Sequence, residues 1–225
     1  MKKSFFITGT DTGVGKTHVA CALLHATRLR GRTAIGMKPV AAGIEQDGRN
    51  DDVTRLLAAS SGPAPLAWVN PYAYAPAIAP HIAAQEAGRP IELAVIGQAL
   101  DRLRARADVV WVEGVGGFRV PLGEGRDTAD LAVYLALPVV MVVGMRLGCL
   151  NHALLTAEAI AARGLTLAGW IANRIDPEMA RFEANLASLQ TRLTAPLLGV
   201  LPYGIPCEQA AATLDLSALL DGSEQ

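Results

Sequence analysis

Cysteine is scarce: Cys21, Cys149 and Cys207 are scattered through 225 residues, odd in number and without metal-ligand spacing. They exclude a disulfide framework and fit a reducing compartment. Clustered positive charge is also missing, since 20 Lys and Arg stand against 21 Asp and Glu and no basic run occurs. Nucleic acid is therefore disfavoured as a main partner. No apolar stretch reaches membrane-spanning length without a charge or glycine break, and the short strand-like run after Lys2 and Lys3 lacks a signal-peptide core. A cytoplasmic protein with no membrane partner is expected. Aromatic residues make up only 5% of a chain that is 51% hydrophobic, and alanine and glycine are abundant. That composition suits helices packed closely on a parallel sheet, and the length suits one α/β domain over residues 1–225.

Against these absences one segment stands out. Gly9-Thr10-Asp11-Thr12-Gly13-Val14-Gly15-Lys16-Thr17 follows an apolar run and opens a helical one. Such a loop wraps a polyphosphate: backbone N–H groups and a helix N-terminus face the anion, the lysine brings a mobile charge, and the threonine hydroxyl can ligate Mg²⁺. The strict spacing is broken, because the first glycine position holds Thr10 and Gly9 sits one place early. Context carries the assignment. Ser4 to Thr8 reads as a buried strand, and Val19, Ala20, Leu23, Leu24 and Ala26 keep helical spacing up to Gly31.

Further strands are predicted over 33–37, 108–113, 138–144, 167–173 and 197–201, after a first at 4–9. Helical patterns run from Ile91 to Arg106, Asn151 to Arg163 and Glu178 to Leu193, and another begins at Asp51-Asp52. Apolar strands alternating with helices indicate a predominantly parallel central sheet covered on both faces. Residues 39–50 read as a loop. Residues 62–90 hold six prolines and read as an irregular excursion with a short strand near Trp68-Val69. Residues 221–225 read as a frayed tail.

In parallel sheets, ligands gather at the carboxyl ends of the strands. Those ends carry the phosphate loop, then Lys38, Glu113 with Gly114-Val115-Gly116-Gly117 behind it, the segment Gly144 to Asn151, Asn173, and Pro202-Tyr203. Glu113 takes the place of the acidic residue that holds Mg²⁺ beside a phosphate loop. A cation at Lys38 suits anionic intermediates. One of Asp51 and Asp52 can instead cap a helix, and Asn173 can cap a helix or meet a base edge. His81 and His152 have no partner visible in sequence and receive no role.

Several blocks together carry a family resemblance. Gly9-Thr10-Asp11-Thr12-x-Val14-Gly15-Lys16-Thr17, Lys38-Pro39-Val40, Asn70-Pro71-Tyr72, Pro80-His81, Glu113-Gly114-x-Gly116-Gly117, Leu147-Gly148-Cys149-x-Asn151-His152 and Gly169-Trp170-x-Ala172-Asn173 occur in order. Over residues 4 to about 203 the chain resembles the ATP-dependent dethiobiotin synthetases, members of the P-loop NTPase class. The resemblance implies that 7,8-diaminononanoate and CO₂ form a carbamate, that ATP phosphorylates it to a carbamic-phosphoric anhydride, and that the second amine closes a cyclic urea. Dethiobiotin, ADP and phosphate would leave, in the penultimate step of biotin synthesis.

Carried over by position, the resemblance implies Thr17, Asp52 and Glu113 as Mg²⁺ ligands. It implies Thr12, Gly13, Val14, Gly15, Lys16, Thr17 and His18 around the ATP phosphates, and Asn173, Pro202 and Tyr203 around its base. Lys16, Lys38 and Thr12 would act in catalysis. Lys38, Ala42, Gly116 and Gly117 would meet the substrate. Gly148, Cys149, Leu150 and Asn151, from the other subunit of a homodimer, would hold its carboxylate tail with helix N–H groups.

Three positions depart from the family's pattern: Gly13 and Ala42 stand where enterobacterial-type members often carry glutamate and serine, and Asn185 stands where some members place a tyrosine. All lie on the substrate side, so the phosphate machinery is intact. A ParA/MinD-like ATPase switch is the main rival. It calls for an extra lysine early in the loop, which Thr10 to Thr12 lack, and often a membrane-seeking C-terminal helix. An amidating enzyme of the cobyrinate type would need a glutaminase domain for which the chain has no room.

Overall fold

The computed structural model describes residues 2–44 and 50–221. Along the chain run β1 (Lys3–Gly9), α1 (Lys16–Leu29), β2 (Ala34–Met37), β3 (Val40–Ala42), α2 (Asp51–Ala59), α3 (Leu66–Val69), β4 (Tyr72–Tyr74), α4 (Pro80–Glu86) and α5 (Leu93–Arg104). Then come β5 (Val109–Glu113), β6 (Pro121–Gly123), β7 (Arg126–Asp127), α6 (Thr128–Tyr134), β8 (Val139–Met145), α7 (Cys149–Ala162), β9 (Leu167–Arg174), α8 (Phe182–Arg192), β10 (Leu197–Leu201), α9 (Cys207–Ala210) and α10 (Ser217–Leu220). The central sheet has the order β10-β9-β8-β1-β5-β2, with every neighbouring pair parallel. All six predicted strands are in it.

Both faces of that sheet are dry, and the alternation along each strand assigns the side chains. Phe5, Ile7, Val109, Trp111, Val140 and Val142 pack against α1 and the C-terminal segment. Phe6, Val110 and Val112 face α5 and α6, while Met141 and Val143 face α7 and α8. Because side-chain direction has period two, a strand apolar at every position must be covered twice. α1 is buried nearly all round, which its small residues Ala20, Ala22 and Ala26 permit.

The proline-rich excursion is more ordered than its sequence pattern suggests. Trp68-Val69 is helical in α3, since Pro65 caps a single turn whose Val69 N–H donates to the Pro65 carbonyl at 3.2 Å. The strand comes three residues later as β4. Its partner is β3, inside the segment expected to be a loop: Val40 pairs with Tyr72 and Ala42 with Tyr74, in parallel. A three-residue strand is too short to show periodicity and exists only through its distant partner. Residues 45–49 of that expected loop and residues 222–225 of the expected tail lie outside the described residues. α8 starts at Phe182 rather than Glu178, with Arg181 at φ 56 just before it. Among the described residues no helix is long and apolar enough to cross a membrane.

Candidate functional site

The phosphate loop leaves β1 at Gly9, where an added Cβ would lie 2.7 Å from the Val14 side chain. It then turns through Gly13 and Gly15, at φ +73° and +83°, a region that side chains with a Cβ rarely enter. Gly15 is the N-cap of α1 and no side chain caps it. The first N–H groups of the helix are therefore presented to an anion. Lys16 and Thr17 follow at once and are buried. The Lys16 ammonium donates to the Asp11 carbonyl at 3.2 Å. Burial, and then the neighbouring Lys38 charge, bring its pKa down to about 8.

Lys38 sits one residue beyond β2, and its backbone is pinned on both sides. Its N–H donates to the Val69 carbonyl at 2.8 Å, and its carbonyl accepts from Asn70 Nδ2 at 2.6 Å. The side chain is buried between two carboxylates, donating to Asp52 Oδ2 at 2.8 Å and Glu113 Oε1 at 2.5 Å. Thr17 Oγ1 donates to the same Glu113 oxygen at 2.8 Å. Burial works against the Lys38 ammonium, but the charges of Glu113 and Asp52 outweigh it and hold the pKa above the ordinary lysine value. Asp52 is likewise opposed by burial, yet Lys38 holds its carboxyl below the usual range. Asn50 supplies the cap of α2, accepting from the Val53 N–H at 3.3 Å. Asp52 is thus released from capping and faces the cleft.

Three strand ends and α2 thereby place Thr17, Lys38, Asp52 and Glu113 in one network. Hard oxygen donors of this kind suit Mg²⁺. The fit has a direct sign: Glu113 Oε2 is buried without a hydrogen-bond partner, a costly arrangement unless a cation meets it. The cleft around the network holds about 670 Å³ and is lined by Thr12, Gly13, Gly15, Lys16, Thr17, His18, Lys38, Ala42, Asp52, Glu113 and Gly116. A second cleft of about 500 Å³ adjoins it through His18 and Arg55 and is walled by Asn173, Pro202 and Tyr203.

Asn173 lies near the end of β9, where it caps no helix, and it forms part of the wall of the second cleft. Asn173 Nδ2 donates to the Val14 carbonyl at 2.9 Å, bracing the phosphate loop from behind. Val14 itself is buried and contributes that carbonyl rather than a lining surface. Gly117 stands behind the cleft, with its carbonyl accepting from the Thr128 hydroxyl at 3.3 Å. Gly148, Cys149, Leu150 and Asn151 open α7 and are not brought to this chain's own cleft. Asn185 is half-buried on α8, and its Nδ2 donates at 2.9 Å to the carbonyl of Arg181, the residue that caps the helix. The sequence reading missed Asn50 and Arg55. Arg55 lines both clefts, and its place three residues after Asp52 on α2 was the available signal.

A family model described as an AAA domain matches residues 3–211. The chain is 61% identical over 219 residues to the ATP-dependent dethiobiotin synthetase BioD of Aromatoleum aromaticum, covering 95% of this chain and 97% of that one. It is 57% identical over 221 residues to the protein of the same name from Nitrosospira multiformis, covering 98% and 96%. Among solved structures, the MinD cell division protein of Aquifex aeolicus aligns with a TM-score of 0.58 at 16% identity, covering 99% of this chain and 98% of that one. MinD of Pyrococcus horikoshii, solved with Mg-ADP, aligns equally well at 16% identity, covering 95% and 94%. Those two likenesses concern the fold alone.

Proposed function

The chain belongs to the ATP-dependent dethiobiotin synthetase family, ligases of biotin biosynthesis, and we propose that its cleft closes the cyclic urea of dethiobiotin with the residues assembled around Lys38. The observation that carries this reading is the meeting of Lys16, Thr17, Lys38, Asp52 and Glu113 at one sheet edge. It brings two cations and an oxygen-donor set to the place where a carbamate and a γ-phosphate, both anionic, must approach.

In this reading one amine of 7,8-diaminononanoate takes up CO₂ as a carbamate, whose charge the Lys38 ammonium offsets. The loop N–H groups, Lys16 and Thr12 hold the triphosphate in line with the carbamate oxygen. That oxygen attacks the γ-phosphorus, and the bond to ADP breaks. The second amine then attacks the carbonyl carbon of the anhydride, loses its proton and expels phosphate. No side-chain nucleophile is required. Thr17, Asp52 and Glu113 would hold Mg²⁺, which when bound supplies positive charge to the phosphates. Gly116, across from the Thr12 hydroxyl, and Ala42 would border the diamine, with Gly117 behind them.

The substrate tail calls for a second subunit. α7 buries only Cys149, Ala153 and Ile160 against its own chain, while Leu147 before it is 95% exposed and Leu155 is 56% exposed. An apolar face of this kind fits a homodimer in which Gly148 to Asn151 of one subunit reach the carboxylate in the cleft of the other. Purified protein given 7,8-diaminononanoate, bicarbonate and MgATP should yield the cyclic urea by mass spectrometry. ADP release that does not depend on the diamine would count against the synthetase reading and favour a switch.

A further inference from the structure

Outside the phosphate cleft, a second group of ligand atoms converges where α9 crosses α1. His25 lies on α1, and Cys207 and Glu208 open α9. One imidazole nitrogen, the Cys207 sulfur and one Glu208 oxygen all lie within 4.8 Å of one another. His25 Nε2 and Glu208 Oε1 are 3.8 Å apart, and the Cys207 thiol bonds the Glu208 carboxylate.

We propose that His25, Cys207 and Glu208 form a binding site for a divalent transition metal of the zinc and cobalt class. Imidazole, thiolate and carboxylate are the donor types such ions select, and three protein ligands leave a fourth position for water. Bonds of about 2.0–2.3 Å in a tetrahedron put neighbouring donors roughly 3.3–3.8 Å apart. The His25 Nε2 to Glu208 Oε1 separation of 3.8 Å already meets that range, and the other two lie within 4.8 Å. His25 is only 20% exposed and is held on a rigid, nearly buried helix, so the site has one fixed anchor.

A surface ion pair between His25 and Glu208 is the plain alternative. There the half-buried Cys207 thiol serves only as a donor to the Glu208 carboxylate, whereas a metal would displace its proton and take the sulfur as a third ligand. The location adds a consequence. Cys207 and Glu208 also wall the second cleft beside Pro202 and Tyr203. A metal there ties the four-residue α9 to α1 and stiffens one wall of that cleft.

Co²⁺ titrated into the full chain, with Mg²⁺ in excess to saturate the oxygen-donor site, separates the alternatives. The expected result is a thiolate-to-cobalt charge-transfer band at one equivalent. Cys207→Ser should abolish the band, His25→Ala should weaken Co²⁺ binding about a hundredfold, and Glu208→Gln about tenfold. Cys149→Ser should leave it intact. Zn²⁺ should raise the melting temperature of the wild type and not that of Cys207→Ser. Circular dichroism establishes that each variant is folded. A missing band, or one that persists in folded Cys207→Ser, would overturn the site. ADP affinity should differ at least threefold with and without Zn²⁺ in the wild type, and an unchanged value would overturn the link to the second cleft.

Discussion

The Lys38 ammonium and the Glu113 carboxylate, 75 residues apart in sequence, meet at 2.5 Å with the glutamate wholly buried. Removing one partner leaves the other charged and poorly solvated, which costs more than the pair itself contributes. Lys38→Ala should therefore lose about 3 kcal/mol of stability in urea denaturation as well as its turnover. Glu113→Gln in the same chain should restore part of that stability and none of the activity. Additive losses in the double variant would show that the two groups are not coupled.

Lys16 predicts a pH dependence. Its pKa is lowered to about 8, so free enzyme loses this charge as pH rises through that value. Affinity for ADP should fall about tenfold per pH unit above it, and Lys16→Met should bind weakly at every pH without the step. For folding the sign is reversed. Between about 8 and the ordinary value of 10.5 the unfolded chain holds more protons, so stability from this group rises across that window. Calorimetric titration of ADP from pH 7 to 10 checks the binding half, and a flat profile would refute it.

Gly13 and Gly15 share a left-handed backbone but differ in surroundings. A Cβ on Gly15 would lie 2.2 Å from Asn173 Nδ2, whereas Gly13 has nothing within 4 Å. Gly15→Ala should weaken ADP binding at least about a hundredfold, because the loop must move off its Asn173 brace. Gly13→Ala should cost only about 1 kcal/mol of stability. Equal effects in the two variants would remove Asn173 from the account.

Leu147 is the most exposed large apolar residue of the described chain, at 95%. Leu147→Asp should shift the proposed dimer to monomer in light scattering and reduce turnover, while the melting temperature at high dilution stays within a few degrees. A variant that remains dimeric would place the interface elsewhere.

Ala42 lines the main cleft, at a position where the family resemblance implies a serine in other members. Ala42→Ser should lower KM for the diamine about threefold to tenfold, the worth of one hydrogen bond, with kcat unchanged. An unaltered KM would mean that the tail contacts already saturate binding.

The six sheet strands and the phosphate loop were legible because their signals are local. Continuous apolar runs, helical spacing after Lys16 and glycines at a turn are written within a few residues of each other. β3 and β4 were illegible for the opposite reason: neither Val40–Ala42 nor Tyr72–Tyr74 has a pattern of its own, and each is a strand only because the other lies beside it. Asn173 shows the same limit inside the site. Its block marks it as functional, but its bond to Val14 joins residues 159 positions apart.

Residue chemistry and spacing alone determined the α/β class, the phosphate loop, and the choice of Lys38 and Glu113 as charged residues of interest, while the family resemblance chose Asp52. Tertiary structure decided how those charges are shared. Asn50 rather than an aspartate caps α2, Lys38 stands between both carboxylates, and one Glu113 oxygen is left without a partner. Charge type and periodicity are properties of short segments. Which charge faces which, and how deeply each is taken from water, depends on the parallel sheet bringing the ends of distant strands to one edge.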